Sequence, residues 1–160
     1  MDRGTREVNI NNANNAAATL PTHILAEALA AWKLAFNEHR PDDMVGLFTR
    51  DALFQGLSPT LRTGREEVFG YYHALPPSIT ASFQIVEARQ PAPHLVCGFA
   101  AVQFTYADGR TVPVQLSLVL RRDGQTWLIV QYHASAMSTG KQTRAVTLSA
   151  VLNPFTDGKD

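Results

Sequence analysis

Apolar residues recur at helical spacing early in the chain. Leu25, Leu29, Trp32 and Phe36, with Ala28 and Ala35 beside them, make one stripe between Thr22 and His39. This spacing predicts a long amphipathic helix. Pro41 suits the first turn of a second helix. Asp42 and Asp43 are favourable at its positive end, and Met44, Leu47 and Phe48 form its buried side. DALFQG (51–56) reads as short and extended. Thr63-Gly64-Arg65-Glu66 has the form of a capping box, with Thr63 and Glu66 each satisfying a backbone N–H of the other. A third helix then carries Val68, Phe69, Tyr71, Tyr72 and Leu75 wholly or partly inward until Pro76-Pro77 stops it.

From residue 79 onward the pattern is that of strands. Residues 79–89, 95–106, 111–121 and 126–135 read as four long strands, separated by a Pro-rich turn at 91–93 and by hairpin turns at Asp108-Gly109 and Asp123-Gly124. Three helices followed by an antiparallel meander give an α+β layout. Both faces of the strands carry apolar residues: Val112, Val114, Leu116, Leu118 and Leu120 alternate with Gln115, Ser117 and Val119. Helices cover one face only. A second copy of the sheet is the economical cover for the other, so the pattern predicts a homodimer through sheet faces. Residues 1–20, rich in Asn and Ala, read as a mobile arm, 21–137 as the domain, and 138–160 as a tail whose RAVTLSAVL adds a strand or covers an edge.

Composition narrows the function classes. The 160 residues are 45% hydrophobic, enough for a core, and the 14 basic and 14 acidic residues balance. That balance argues against nucleic acid and anionic membrane as partners. No run of 18 apolar residues spans a membrane, and the first 20 residues lack the apolar stretch of a signal peptide, so the expected location is cytoplasmic. The single cysteine, Cys97, lies in an apolar run and reads as an inert thiol. No two histidines stand at His-x-x-x-His spacing, so no metal is expected. No dinucleotide fingerprint or Gly-x-Ser-x-Gly elbow is present, and no cofactor is expected.

Four stretches carry a family resemblance: AW in the first helix, MVGLFTRDALFQG, TGREEVFGYY and LVLRRDGQTWLIVQYHAS. Over about residues 22–137 the chain resembles the nuclear transport factor 2-like superfamily. Within it, the chain is similar to SnoaL-like and SgcJ/EcaC-type proteins and to the calcium/calmodulin-dependent kinase II association domain. The resemblance implies a cone-shaped curved antiparallel sheet capped by three helices, a cystatin-like α+β roll. Ketosteroid isomerases of this superfamily place an oxyanion-stabilising Tyr where this chain has Trp32 and a general-base Asp where it has Gly56. An indole N–H can donate, but glycine takes no proton, so that mechanism does not carry over. The cone-lining arginines of the kinase association domain fall on Val102, Ser117 and Ala134. The cone should therefore be more apolar and suit an uncharged or aromatic ligand.

The polar pair Gln131 and His133 in WLIVQYHAS poses the main question of the site. Strand alternation groups Trp127, Ile129, Gln131, His133 and Ser135 on one face, and Leu128, Val130, Tyr132 and Ala134 on the other. With Ala134 in the cone, Tyr132 points inward. His133, Gln131 and Gln103 then face the dimer partner, although a strand bulge would bring His133 into the pocket and simple exposure is a third reading. Tyr132, Trp32 and Gln115 are the candidate catalytic groups, acting by positioning and hydrogen-bond polarisation. The candidate ligand-binding residues are Phe36, Phe54, Tyr72, Val102, Phe104, Ser117, Val119 and Ala134. Each has a plainer reading too: core packing for Tyr132 and Trp32, a water network for Gln115 and Ser117. The expected function is binding of a small apolar or aromatic metabolite, as a pocket protein or as an accessory or cyclase/isomerase-like enzyme of secondary metabolism. The alternative is a non-catalytic assembly domain.

Overall fold

The structure, a computed structural model, describes the backbone of residues 5–137 and the side chains from Leu20 onward. The expected tail strand lies outside the described residues. The elements are α1 (Thr5–Asn37), α2 (Pro41–Val45), β1 (Phe48–Gln55), β2 (Arg62–Thr63), α3 (Gly64–Ala74), β3 (Thr80–Ala92), β4 (Leu95–Thr105), β5 (Thr111–Asp123) and β6 (Thr126–Ala136). Where an arm was expected, α1 already runs as helix from Thr5 and passes through Pro21, in keeping with the helix propensity of its alanines. α2 is shorter than its apolar pattern suggested. Phe48 already belongs to β1, where it is fully buried.

Six strands form one sheet in the order β2-β1-β6-β5-β4-β3. The meander β3–β6 is antiparallel as expected, with Gly109 and Gly124 at positive φ in its hairpin turns. β1 adds to β6 in parallel and carries the two-residue β2 at its free side. The sheet is irregular where register shifts between Ile85 and Glu87 and between Val119 and Leu120. Such bulges bend and twist a strand locally. At Gly98 an added Cβ would stand 2.4 Å from the Glu87 carbonyl oxygen and 2.7 Å from Leu25 Cδ2. Glycine there lets α1 and β3 press closely against β4.

The helices pack against the inner face. Leu25, Leu29, Trp32, Ala35 and Phe36 of α1 meet Ala100, Val102, Val114, Leu116, Leu118 and Ala134 of the sheet in one core. Asn37 fixes the end of α1: its Nδ2 donates to the Ala81 carbonyl (3.1 Å), and the Ala81 N–H donates to its Oδ1 (2.7 Å). The expected capping box is corrected by one position. The Thr63 N–H donates to Glu67 Oε2 at 2.6 Å, and the Thr63 side chain makes no capping bond. Gly64, at φ 79°, turns the chain into α3, and Arg65 reaches back with Nε and Nη2 to the Phe48 carbonyl at 2.9 and 2.8 Å.

Candidate functional site

The inner end of the cone is an aromatic cluster assembled from five elements. α1 supplies Trp32 and Phe36, β1 supplies Phe48 and Phe54, α3 supplies Tyr71 and Tyr72, and the sheet supplies Phe104 and Tyr132; all are buried. Phe54 stacks on Tyr132 with ring centroids 4.5 Å apart and planes at 14°. A hydrogen-bonded relay threads the cluster. The Trp32 indole N–H donates to the Tyr72 hydroxyl at 2.9 Å, and the Tyr72 and Tyr132 hydroxyls are hydrogen-bonded to each other. Burial pushes the pKa of Tyr72 and of Tyr132 well up. Burial also raises Tyr71, against a smaller lowering by the Leu57 backbone N–H and the Arg62 guanidinium. At neutral pH all three are therefore neutral hydroxyls, able to donate a hydrogen bond and not to accept a proton as a base.

Beside the relay lies a cavity of about 30 Å³, lined by Phe36, Leu57, Tyr71, Tyr72, Leu75, Ile79, Phe104, Tyr106 and Tyr132. That is water-sized, far below the roughly 300 Å³ at which ligand pockets begin. The residues read as the lining of an open cone largely fill it instead. A larger groove of about 370 Å³ lies outside, between the β1–β2 connection and α3, lined by Thr60, Leu61, Arg62, Glu67, Gly70, Tyr71 and Ala74.

Tyr132, Trp32, Phe36, Phe54, Tyr72, Val102, Phe104 and Ala134 all lie on the inside, as the sequence suggested. Of these, Phe36, Tyr72, Phe104 and Tyr132 touch the cavity. Gln115, Ser117 and Val119 do not belong with them. They pair with Ser135, His133 and Gln131 and lie on the outer face. Directly paired residues share a face, so Leu116 opposite Ala134 and Leu118 opposite Tyr132 carry β5's inner row. Gln103, Gln131 and His133 are exposed on the outer face. Ile129, grouped with them by simple alternation, is buried instead, because the register shift opposite Val119 and Leu120 adds Val130 as an extra residue.

Position 56, where a related isomerase has its base, is occupied in space by another residue. An added Cβ on Gly56 would meet Tyr71 Oη at 2.4 Å and Cζ at 2.5 Å. The sequence pattern marks Tyr71 only as an inward helix residue and does not point to Leu57, Leu75, Ile79 or Tyr106 as cavity residues. The one sequence signal for Tyr71 was glycine in place of a side chain at 56. Among the described residues, no group of three or more His, Cys, Asp or Glu side chains gathers as a metal site would need. No helix among them is long and apolar enough to cross a membrane.

The family profile of the SnoaL-like domain matches residues 25–139, and the chain belongs to that family. No curated protein matches it. Among solved structures, the chain is similar to a ketosteroid isomerase-like protein from Erwinia carotovora atroseptica, at 20% identity and TM-score 0.64 over 72% of this chain and 95% of that one. It is equally similar to a putative calcium/calmodulin-dependent protein kinase II association domain from Xanthomonas campestris, at 20% identity and TM-score 0.64 over 72% and 86% of the two chains. A domain of unknown function with a cystatin-like fold from Nostoc punctiforme aligns at 13% identity and TM-score 0.67 over 76% and 80%. At these identities the likeness concerns the fold.

Proposed function

We propose that this SnoaL-like chain binds a small, uncharged, apolar or aromatic compound in its cone, held by a hydrogen bond from the tyrosine relay. The observation that carries the reading is the relay itself: neutral donors running from Trp32 through Tyr72 to Tyr132, ending beside an apolar cavity. The ionisable groups among the cavity's lining residues are all tyrosines with raised pKa. Such a site favours a ligand with a carbonyl, ether or phenol oxygen over a carboxylate or an ammonium. As an enzyme it would act as a cyclase or isomerase by polarising that oxygen, with no base drawn from the cavity wall.

We also place a second copy of the chain on the outer sheet face. Phe99 (48% exposed) and Leu53 (42%) stand there with the half-buried Cys97, Ala101 and Val119, bordered by Gln103, Gln131 and His133. An apolar centre with a polar rim is the usual anatomy of an interface. Native mass spectrometry of the protein from its own host tests both statements. A dimer carrying a non-covalent organic mass, with affinity reduced about 5- to 10-fold by Tyr132→Phe, is expected for the loss of one hydrogen bond. A clean apo assembly of more than two copies would instead favour a non-catalytic assembly domain, which the small volume left inside the cone supports.

A further inference from the structure

The inner cavity and the outer groove have one lining residue in common, Tyr71. Tyr71 thus borders both a water-sized space at the relay and a groove some ten times larger. We infer that Tyr71 is the movable wall that sets what the site admits, and that Gly56 is its seat. The inference rests on the ligand-binding reading for its purpose, but its geometry stands apart from it.

Four features describe the closed position. Gly56 offers no Cβ, and any Cβ there would sit 2.4 Å from the Tyr71 hydroxyl oxygen, so only glycine lets the ring approach the backbone just past β1 this closely. Phe54 lies on the inner side, with ring centroids 4.8 Å apart. On the groove side, the Arg62 guanidinium sits 4.9 Å from the ring centroid. The Leu57 backbone N–H also supports the hydroxyl. The wall thus packs on the core through Phe54 and Tyr72, and on its solvent side it is covered by a half-buried arginine on the two-residue β2. Outward there is room: the groove of about 370 Å³ lies on that side of Tyr71. With the ring swung out, the space at Tyr72 and Tyr132 opens into the groove. A compound too large for 30 Å³ then reaches the donors by this side, past α3.

The test reads access to the relay with acrylamide, a small neutral quencher, against Trp32 fluorescence in the otherwise native protein with Trp127→Phe. Trp32 is fully buried and bonded to Tyr72, directly behind the cavity. Tyr71→Ala should raise the quenching constant threefold or more. Gly56→Ala, whose methyl evicts the ring, should raise it comparably, and the double variant should match Tyr71→Ala alone. Unchanged quenching in both single variants overturns the movable wall. A full additional effect of Gly56→Ala in the absence of Tyr71 overturns the seat. Should the core variants fail to fold, Arg62→Ala decides, since it loosens the hold from outside: a rise of twofold or more supports the wall and no change overturns it. Acrylamide is not the host compound, so a flat result here leaves the ligand reading standing. A clean apo dimer from the host, conversely, removes the ligand reading and leaves the wall.

Discussion

Raising the pH probes the buried aromatic cluster without any mutation. The chain has four tyrosines, and Tyr71, Tyr72 and Tyr132 are buried. Burial raises the pKa of each above its ordinary value near 10. Above that pH the unfolded chain sheds three phenolic protons that the folded chain keeps. Stability from this source is therefore complete below about pH 10 and falls as the pH rises. Each such group costs about 1.4 kcal/mol per pH unit while only its unfolded form is ionised. Tyr72 and Tyr132, the two pushed furthest up, together cost about 3 kcal/mol per unit, against a total stability of about 5–15 kcal/mol for a domain of ordinary size. The protein should thus unfold cooperatively between about pH 11 and 13. Phenolate absorbance at 295 nm and far-UV circular dichroism, followed together, check this. Three phenolates should appear only as the ellipticity is lost. If they titrate near pH 10 with the ellipticity intact, the cluster is not sealed in the way described.

Other perturbations follow from the same geometry. Gly98→Ala forces a methyl against the Glu87 carbonyl and Leu25, and should cost about 1–3 kcal/mol in urea denaturation. Gly70→Ala, inside α3 with open space around it, should gain about 0.5–1 kcal/mol and raise the Tm. Trp32→Phe removes the donor to the buried Tyr72 hydroxyl and should cost about 1–3 kcal/mol in urea denaturation followed by far-UV circular dichroism. Replacing Phe99 and Leu53 together by Lys should convert the proposed dimer to monomer in sedimentation velocity while leaving the melting transition of the fold in place.

Much of the fold was legible because its signals are local. Leu25, Leu29, Trp32 and Phe36 fall on one helical stripe whatever they pack against, and Asp-Gly turns at 108–109 and 123–124 fix the hairpins by their own chemistry. The site was less legible because it depends on register. Gln115 and Ser117 were placed inside by alignment, yet pairing with Ser135 and His133 puts them outside. Val130 is one extra residue in a strand, and it moved Ile129 from one face to the other. Nor does a pattern of inward aromatics reveal whether the rings line a space or fill it. That depends on the packing of Trp32, Phe54, Tyr71, Tyr72 and Tyr132 against one another, drawn from four separate elements.

The parallel pairing of β1 with β6 also bears on how the chain reaches this state. Phe54 meets its partner Tyr132 only after about two-thirds of the domain lies between them, and contacts so distant in sequence slow folding through the entropy of closing the loop. The meander β3–β6 needs only neighbouring hairpins and can form by itself. During synthesis, the first strand and the apolar faces of α1 and α3 leave the ribosome well before the last strand that will receive them. The domain is thus committed to a late closing step, in which its earliest-made segments wait, exposed, for its latest.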